Sequence, residues 1–343
     1  MKNLHFLALL PLASLLVAED TPPPTHDTPV PPPASAAPLE RDLSARTDRT
    51  RVANTDNLPP TVSAQLTLFG GYDNNVLYRV GNDVFSSGDK EASPTGGGEA
   101  RADWRAINRP GQFLKIGVSG RDDEYSRFHE RAFTRYGGSA VWGLVLDPVT
   151  PGLAVSGNRY LVDRQGVAND LRAAGTLTRL GTRHVDIAVL EANRLRYDDM
   201  PDRAGTLWGA SWRHWFLLAE SGDISRRLDL GLRGGRYIAT LKTEGYWTVR
   251  PSASVLWRIG SGESPGTWDL SGGGSCEWRR YGKDVENNSE GQFLPTGELS
   301  ADRWFAHRIT AGAVVTAALR DSSLDSLDYQ RWQAYLRLTL RLP

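Results

Sequence analysis

After residue 60 this chain alternates between apolar and polar residues, again and again. Its closing stretch, RWQAYLRLTLRLP, splits in two: Trp332, Ala334, Leu336, Leu338, Leu340 and Leu342 are apolar. Arg331, Gln333, Tyr335, Arg337, Thr339 and Arg341 can meet water. A period of two is a β-strand with alternate side chains on opposite faces of a sheet. An alternation of roughly a dozen residues exceeds the ~5–6 of an ordinary globular strand and suits the ~9–11 that a tilted strand needs to cross a bilayer.

The pattern recurs. TVSAQLTLF puts Val62, Ala64, Leu66 and Leu68 on one face, and EARADWRA sets Ala100, Ala102, Trp104 and Ala106 opposite Glu99, Arg101, Asp103 and Arg105. FLKIGVSGR, YGGSAVWGLVL, HVDIAVL, LDLGLRGG, WTVRPSASVLW and ITAGAVVTAAL alternate likewise. About fourteen such segments (between 12 and 16) can be marked, and an even number suits a bacterial membrane barrel. They begin near residues 61, 99, 112, 132, 152, 171, 183, 206, 227, 246, 267, 293, 308 and 329. The expected fold is all-β: a transmembrane, antiparallel, up-and-down β-barrel.

Connections add a rhythm. Counting from the first, the odd ones read DNNVLYRVGNDVFSSGDKEASPTGGG, DDEYSRFHE, DRQGVAND, YDDMPDRAG, KTEG, GKDVENNSEG and DSSLDSLD, mostly polar and acidic. The even ones, NRPG, DPVTP, LGT, ESGDIS, GSGESPG and FAH, are mostly shorter and rich in turn formers. Long outer loops and short inner turns belong to membrane barrels. Trp104, Trp142, Trp208, Trp212, Trp247, Trp257, Trp278 and Trp332 fall on the apolar side of the alternation, as membrane-interface aromatics would.

With these features the chain resembles the Gram-negative outer-membrane β-barrel proteins, broadly porin-like, over residues 61–343. FGGYDNNVLY (69–78) is similar to the first-strand opening of many such barrels. The resemblance implies the bacterial outer membrane, with its lipid, lipopolysaccharide and the barrel-assembly machinery as partners. One departure is the ending Leu342-Pro343, where these proteins commonly carry an aromatic residue.

The N-terminus fits the same destination. Lys2 followed by LHFLALLPLASLLVA reads as a signal peptide over residues 1–18. Residues 19–60, opening with TPPPTHDTPVPPPASAAP, read as a Pro-rich disordered segment in the periplasm, and residues 61–343 as the barrel. Charge is balanced at 40 basic and 40 acidic residues, which gives no support for nucleic-acid binding. Cys276 is the only cysteine, so no internal disulfide can form.

The polar side of each strand is the informative one. It carries Arg101, Asp103, Arg105, Arg135, Arg213, Arg233, Arg250, Arg279, Arg337 and Arg341, expected to line the lumen, with Asp229, Asp269 and Glu277 among them. Two uses stand open: rings of arginine selecting anions, or arginine–carboxylate pairs bracing a wet wall. Small residues on the same side, including Gly117, Gly137, Gly209, Gly231 and Gly312, are expected to leave space for a pore. A channel for small hydrophilic solutes is the leading reading. The alternative is a non-conducting barrel serving as an anchor or as part of an export or assembly complex. The histidines form no Ser–His spacing that would make a barrel triad, so no enzyme is expected, and no cofactor or metal site. DNN and YDDMPD could touch calcium, though neither has EF-hand spacing. Nothing in the alternation indicates the homo-oligomeric state.

Overall fold

A computed structural model describes residues 62–74, 92–109, 111–146, 148–198, 200–221, 224–261, 263–283, 289–322 and 329–342. The signal peptide, the Pro-rich segment and most of the first connection lie outside the described residues. The strands are β1 (Val62–Asp73), β2 (Ser93–Arg109), β3 (Gln112–Tyr125), β4 (Phe133–Leu144), β5 (Val149–Val162), β6 (Gln165–Leu180) and β7 (His184–Tyr197). They continue as β8 (Gly205–Ser221), β9 (Ile224–Ala239), β10 (Tyr246–Ile259), β11 (Trp268–Lys283), β12 (Ser289–Ala306), β13 (Ile309–Ser322) and β14 (Tyr329–Leu342). Each pairs antiparallel with its sequence neighbours, and β1 pairs with β14, closing the barrel. Closure leaves no open edge, which is what a sheet needs if its backbone groups are to be satisfied in lipid. At the seam Thr67 faces Thr339, their hydroxyls 3.1 Å apart.

Strand lengths run from 12 residues in β1 to 18 in β12, longer than a crossing requires, so the sheet extends past the apolar band. Fourteen strands and their order agree with the alternation. Boundaries differ most at β2, β6 and β12, which start four to six residues earlier than the apolar pattern does. For β6 the reason is local. Asp163 and Arg164 both have positive φ, 48° and 62°, the conformation of a two-residue hairpin turn whose twist matches its strands. DRQGVAND is therefore mostly strand rather than loop, and a register shift between Tyr160 and Leu161 absorbs the extra residue of β6. The even connection 260–267 is longer than the expected rhythm, shaped by Gly260 and Gly266 at φ 121° and 91°.

Two buried clusters form on one face of the sheet. Near the odd connections Tyr160, Val167, Leu195, Tyr197, Leu207, Tyr237, Tyr246 and Tyr281 pack together. Near the even ones Phe113, Val141, Ala174, Val185, Ile187, Val189 and Trp215 do so.

Candidate functional site

Closure identifies the inner face. Arg337 on β14 bonds Asp302 on β12 across β13, with Nε donating at 2.9 Å. Arg233 on β9 reaches Glu191 on β7 across β8 at 2.7 Å. Arg331 on β14 donates to the Tyr125 hydroxyl on β3 at 3.3 Å. Side chains meet over an intervening strand only on the concave side.

By register Arg101, Asp103, Arg105, Arg135, Arg213, Arg233, Arg250, Arg279, Arg337 and Arg341 all lie on that concave face. The structure gathers most of them into pairs. Arg101 Nε donates to Asp103 at 2.8 Å, and Lys115 stands 3.4 Å from the same carboxylate. Glu191 is held between Arg172 at 2.6 Å and Arg233 at 2.7 Å, its side chain 2% exposed. Arg213 Nε donates to both Asp229 oxygens, each at 2.8 Å. Arg279 bonds Glu277 at 2.6 Å, and Thr248 adds a second donor to that carboxylate at 2.7 Å. Arg250 donates to Ser275 at 3.0 Å and Arg341 to Glu263 at 3.0 Å. Of the two uses left open by the sequence, this geometry is that of a braced wall. Both can hold together, because arginine and lysine still outnumber carboxylates on the inner face.

The small inner residues need correcting. Many of their sites are sockets for a neighbour rather than empty space. Of those named, a Cβ on Gly117 would collide with Asp103, on Gly137 with Asn158, on Gly231 with Ser252 and on Gly312 with Asp302. Beyond them, one on Gly143 would strike the Phe113 ring, and on Gly97 and Gly71 neighbouring-strand backbone as well as Phe69 and Tyr335. Large side chains lie flat across the wall because the facing residue has none, the pairing by which aromatics shield strand glycines.

At the rim of the odd connections the tyrosine cluster is covered by single 3-10 turns at Pro201–Arg203 and Lys242–Glu244. The Tyr237 hydroxyl donates to the Arg203 carbonyl at 2.6 Å, and Glu244 lies 3.8 Å from the Arg203 guanidinium. Burial lowers the Arg203 pKa from its ordinary value, and Glu244 opposes the shift. The sequence marked these connections only as polar, YDDMPDRAG and KTEG. Their tyrosines share the inward parity, which was the available signal.

On the convex face stand all eight aromatics named from the sequence. Seven are from 41% exposed (Trp257, Trp332) to 60% exposed (Trp247), and Trp142 is half-buried. Trp208, Trp247, Trp278 and Trp332 lie toward the odd rim; Trp104, Trp142 and Trp257 lie toward the other, with Trp212 nearer mid-strand. Trp268, missed in the sequence, joins the second belt by the parity it shares with Leu270 and Trp278. Trp215 and Trp304 have the opposite parity and are buried inside, with the Trp304 indole donating to Asp269 at 3.0 Å. Between the belts Leu171, Leu190, Leu232, Leu299 and Leu336 are 50–70% exposed. His214 also faces outward, 2.5 Å from Asp186 and stacked on His184. Asp73 of the DNN motif is taken by Arg331 and Gln333, and Asp198 by Arg159. Among the described residues no cluster of His, Cys, Asp or Glu could hold a metal ion.

A closed sheet with an apolar, aromatic-belted outside and a polar inside is built to stand in a bilayer. The fold and its lining define a transmembrane β-barrel. No protein-family model and no curated protein matches the sequence. Solved structures of similar shape include a bacterial polysaccharide outer membrane secretin, 12% identical, covering 82% of this chain and 98% of that one, with a TM-score of 0.46. CdiB from Acinetobacter baumannii is 10% identical over 83% of this chain and 60% of its own, with a TM-score of 0.45. Acinetobacter baumannii OccAB4 is 8% identical over 84% and 100%, with a TM-score of 0.39.

Proposed function

We propose that this barrel is an outer-membrane channel for small hydrophilic solutes, with a preference for anions. The observation that carries it is the inner wall of β1 and β2. There Ser63, Gln65, Thr67, Glu99, Arg101, Asp103 and Arg105 are polar and reachable by water from within. On this wall Arg101 and Arg105 are balanced by Glu99 and Asp103, while over the inner face as a whole arginine and lysine outnumber carboxylates, and that excess favours anions. Reconstitution in planar bilayers tests it. Discrete current steps are expected, with a reversal potential in a salt gradient that shows anion preference. Changing Arg105→Gln with Arg135→Gln should lower that preference. Correctly folded, heat-modifiable protein that never conducts would sink the proposal.

One observation favours a second reading, a non-conducting barrel. The inner faces of β6 and β7 are buried throughout, and the tyrosine cluster crowds the odd rim. Silence in the same recordings, with the fold intact, would select that reading.

A further inference from the structure

Most inner arginines are paired; a set on the outside is not. At the odd rim a groove with a volume of about 370 Å³ opens in the outer wall over the start of β8. Arg194, Arg196, Pro201, Thr206, Ile238 and Thr240 are among its lining residues. Arg194, Thr206 and Ile238 share one register row of the outer face. The neighbouring row, one pleat toward the apolar band, runs Trp208, Arg236, Trp247 and Arg280 across β8 to β11. Arg236 lies over the Trp247 ring, 5.0 Å from its centre. Arg194, Arg196, Arg236 and Arg280 are all exposed, and none has an acidic partner among the described residues. The charge is local. Elsewhere on this rim the outward residues include Asp122 and Glu124 on β3 and Asp321 on β13.

Height in the bilayer gives the patch a meaning. Interfacial tryptophans mark the headgroup level. Two residues along a strand advance about 7 Å, roughly 5 Å of it along the membrane normal for a strand tilted by about 40°. Arg194 and Arg196 therefore stand one and two steps to the headgroup side of the Trp208 row, where lipid phosphates lie. A guanidinium fork matches a phosphate oxygen pair. From β7 to β11 the four arginines span roughly 19 Å of sheet at ~4.8 Å per strand. That breadth fits a headgroup with several phosphates better than a single-phosphate phospholipid. We infer that the groove binds the phosphates of lipopolysaccharide packed around the barrel, with Arg194 and Arg196 as direct ligands and Trp208, one step deeper on the neighbouring strand, against the first acyl carbons. The inference rests on the outer-membrane placement proposed above, with the odd rim facing outward.

The test titrates the refolded full chain in detergent with fluorescently labelled lipopolysaccharide. Competitors are the same glycolipid after phosphatase treatment, phosphatidylglycerol and inorganic phosphate. Dephosphorylation should weaken binding at least about tenfold, as should the pair Arg194→Gln with Arg196→Gln. Arg226→Gln, stacked on Trp257 at the opposite rim, should leave it unchanged. Undiminished binding by the double variant or by the dephosphorylated lipid would overturn the inference. So would phosphatidylglycerol or free phosphate competing as well as the glycolipid. Heat-modifiable migration shows that each variant is folded. Conductance recorded on the same samples keeps the two proposals apart, since a silent barrel can still bind the lipid and a conducting one can fail to.

Discussion

The inner faces of β6 and β7 and those of β1 and β2 are built on the same alternation yet are different materials. On β6 and β7 Arg172, Ala174, Thr176, Thr178, Val185, Ile187, Val189, Glu191 and Asn193 are all buried. On β1 and β2 Gln65 is exposed, and Thr67, Glu99, Arg101, Asp103 and Arg105 are half-exposed. Bulk explains the contrast. Trp215, on the adjoining β8, belongs to one buried cluster with the valines and isoleucine of the first wall, a cluster that also takes in Val141 and Phe113, whose ring lies on Gly143 of β4. Arg213 and Arg227 lie over the Trp215 ring at 5.4 and 4.6 Å. The second wall carries polar and charged side chains along β2, and its rings, Phe69 and Tyr335, stand toward the odd rim beside Gly97 and Gly71. Alternation therefore decides which face a residue takes, while the size of its neighbours decides whether that face is wet.

Charge removal should separate the walls most sharply. Glu191 lies buried between Arg172 and Arg233, so Glu191→Gln leaves two guanidinium groups without their counter-charge. A cost of about 3–5 kcal/mol is expected, the range for breaking one partner out of a buried pair. Asp103→Asn on the wetter wall takes a partner from Arg101, whose side chain is 22% exposed and can draw on water, and from buried Lys115; a smaller cost of about 1–2 kcal/mol is expected. Urea unfolding in lipid vesicles reads both. Equal losses would show that the two walls are equally hydrated.

Trp215→Ala asks whether the dry wall narrows the lumen. Losing a buried indole costs about 3 kcal/mol or more, and it frees the two arginines stacked on it. Single-channel conductance should rise in this variant while Trp104→Ala, on the convex face, leaves it unchanged. A conductance unaffected by Trp215→Ala would place the current path away from β7 and β8.

Much of this was readable in the chain. Strand number, strand order and the inward or outward parity of each arginine and tryptophan follow from a period of two, because a closed antiparallel barrel has no freedom to reassign faces. What was not readable depends on contacts between strands distant in sequence. Phe113 covering Gly143, or Arg233 reaching Glu191 over β8, requires the register, and register is set by turns. The Asp163–Arg164 turn is such a case: its polar sequence looked like a loop, and two positive φ angles made it a hairpin of minimum length.

The smallest predicted effects test the sockets themselves. Gly143 faces inward beneath the Phe113 ring, whereas at Gly175 on β6 a Cβ would meet nothing within 4 Å. Gly143→Val forces the ring off the wall and should cost about 1–3 kcal/mol, as overpacking does. Gly175→Ala adds a methyl toward lipid and restricts the unfolded chain; a gain of about 0.5–1 kcal/mol is expected. Both are strand glycines with ordinary backbone angles, so propensity alone assigns them the same sign. Opposite signs in the unfolding midpoints would show that inner glycines are kept for the side chain that lies across them. Two gains would mean that Phe113 can move aside, and that the inner wall is softer than its packing suggests.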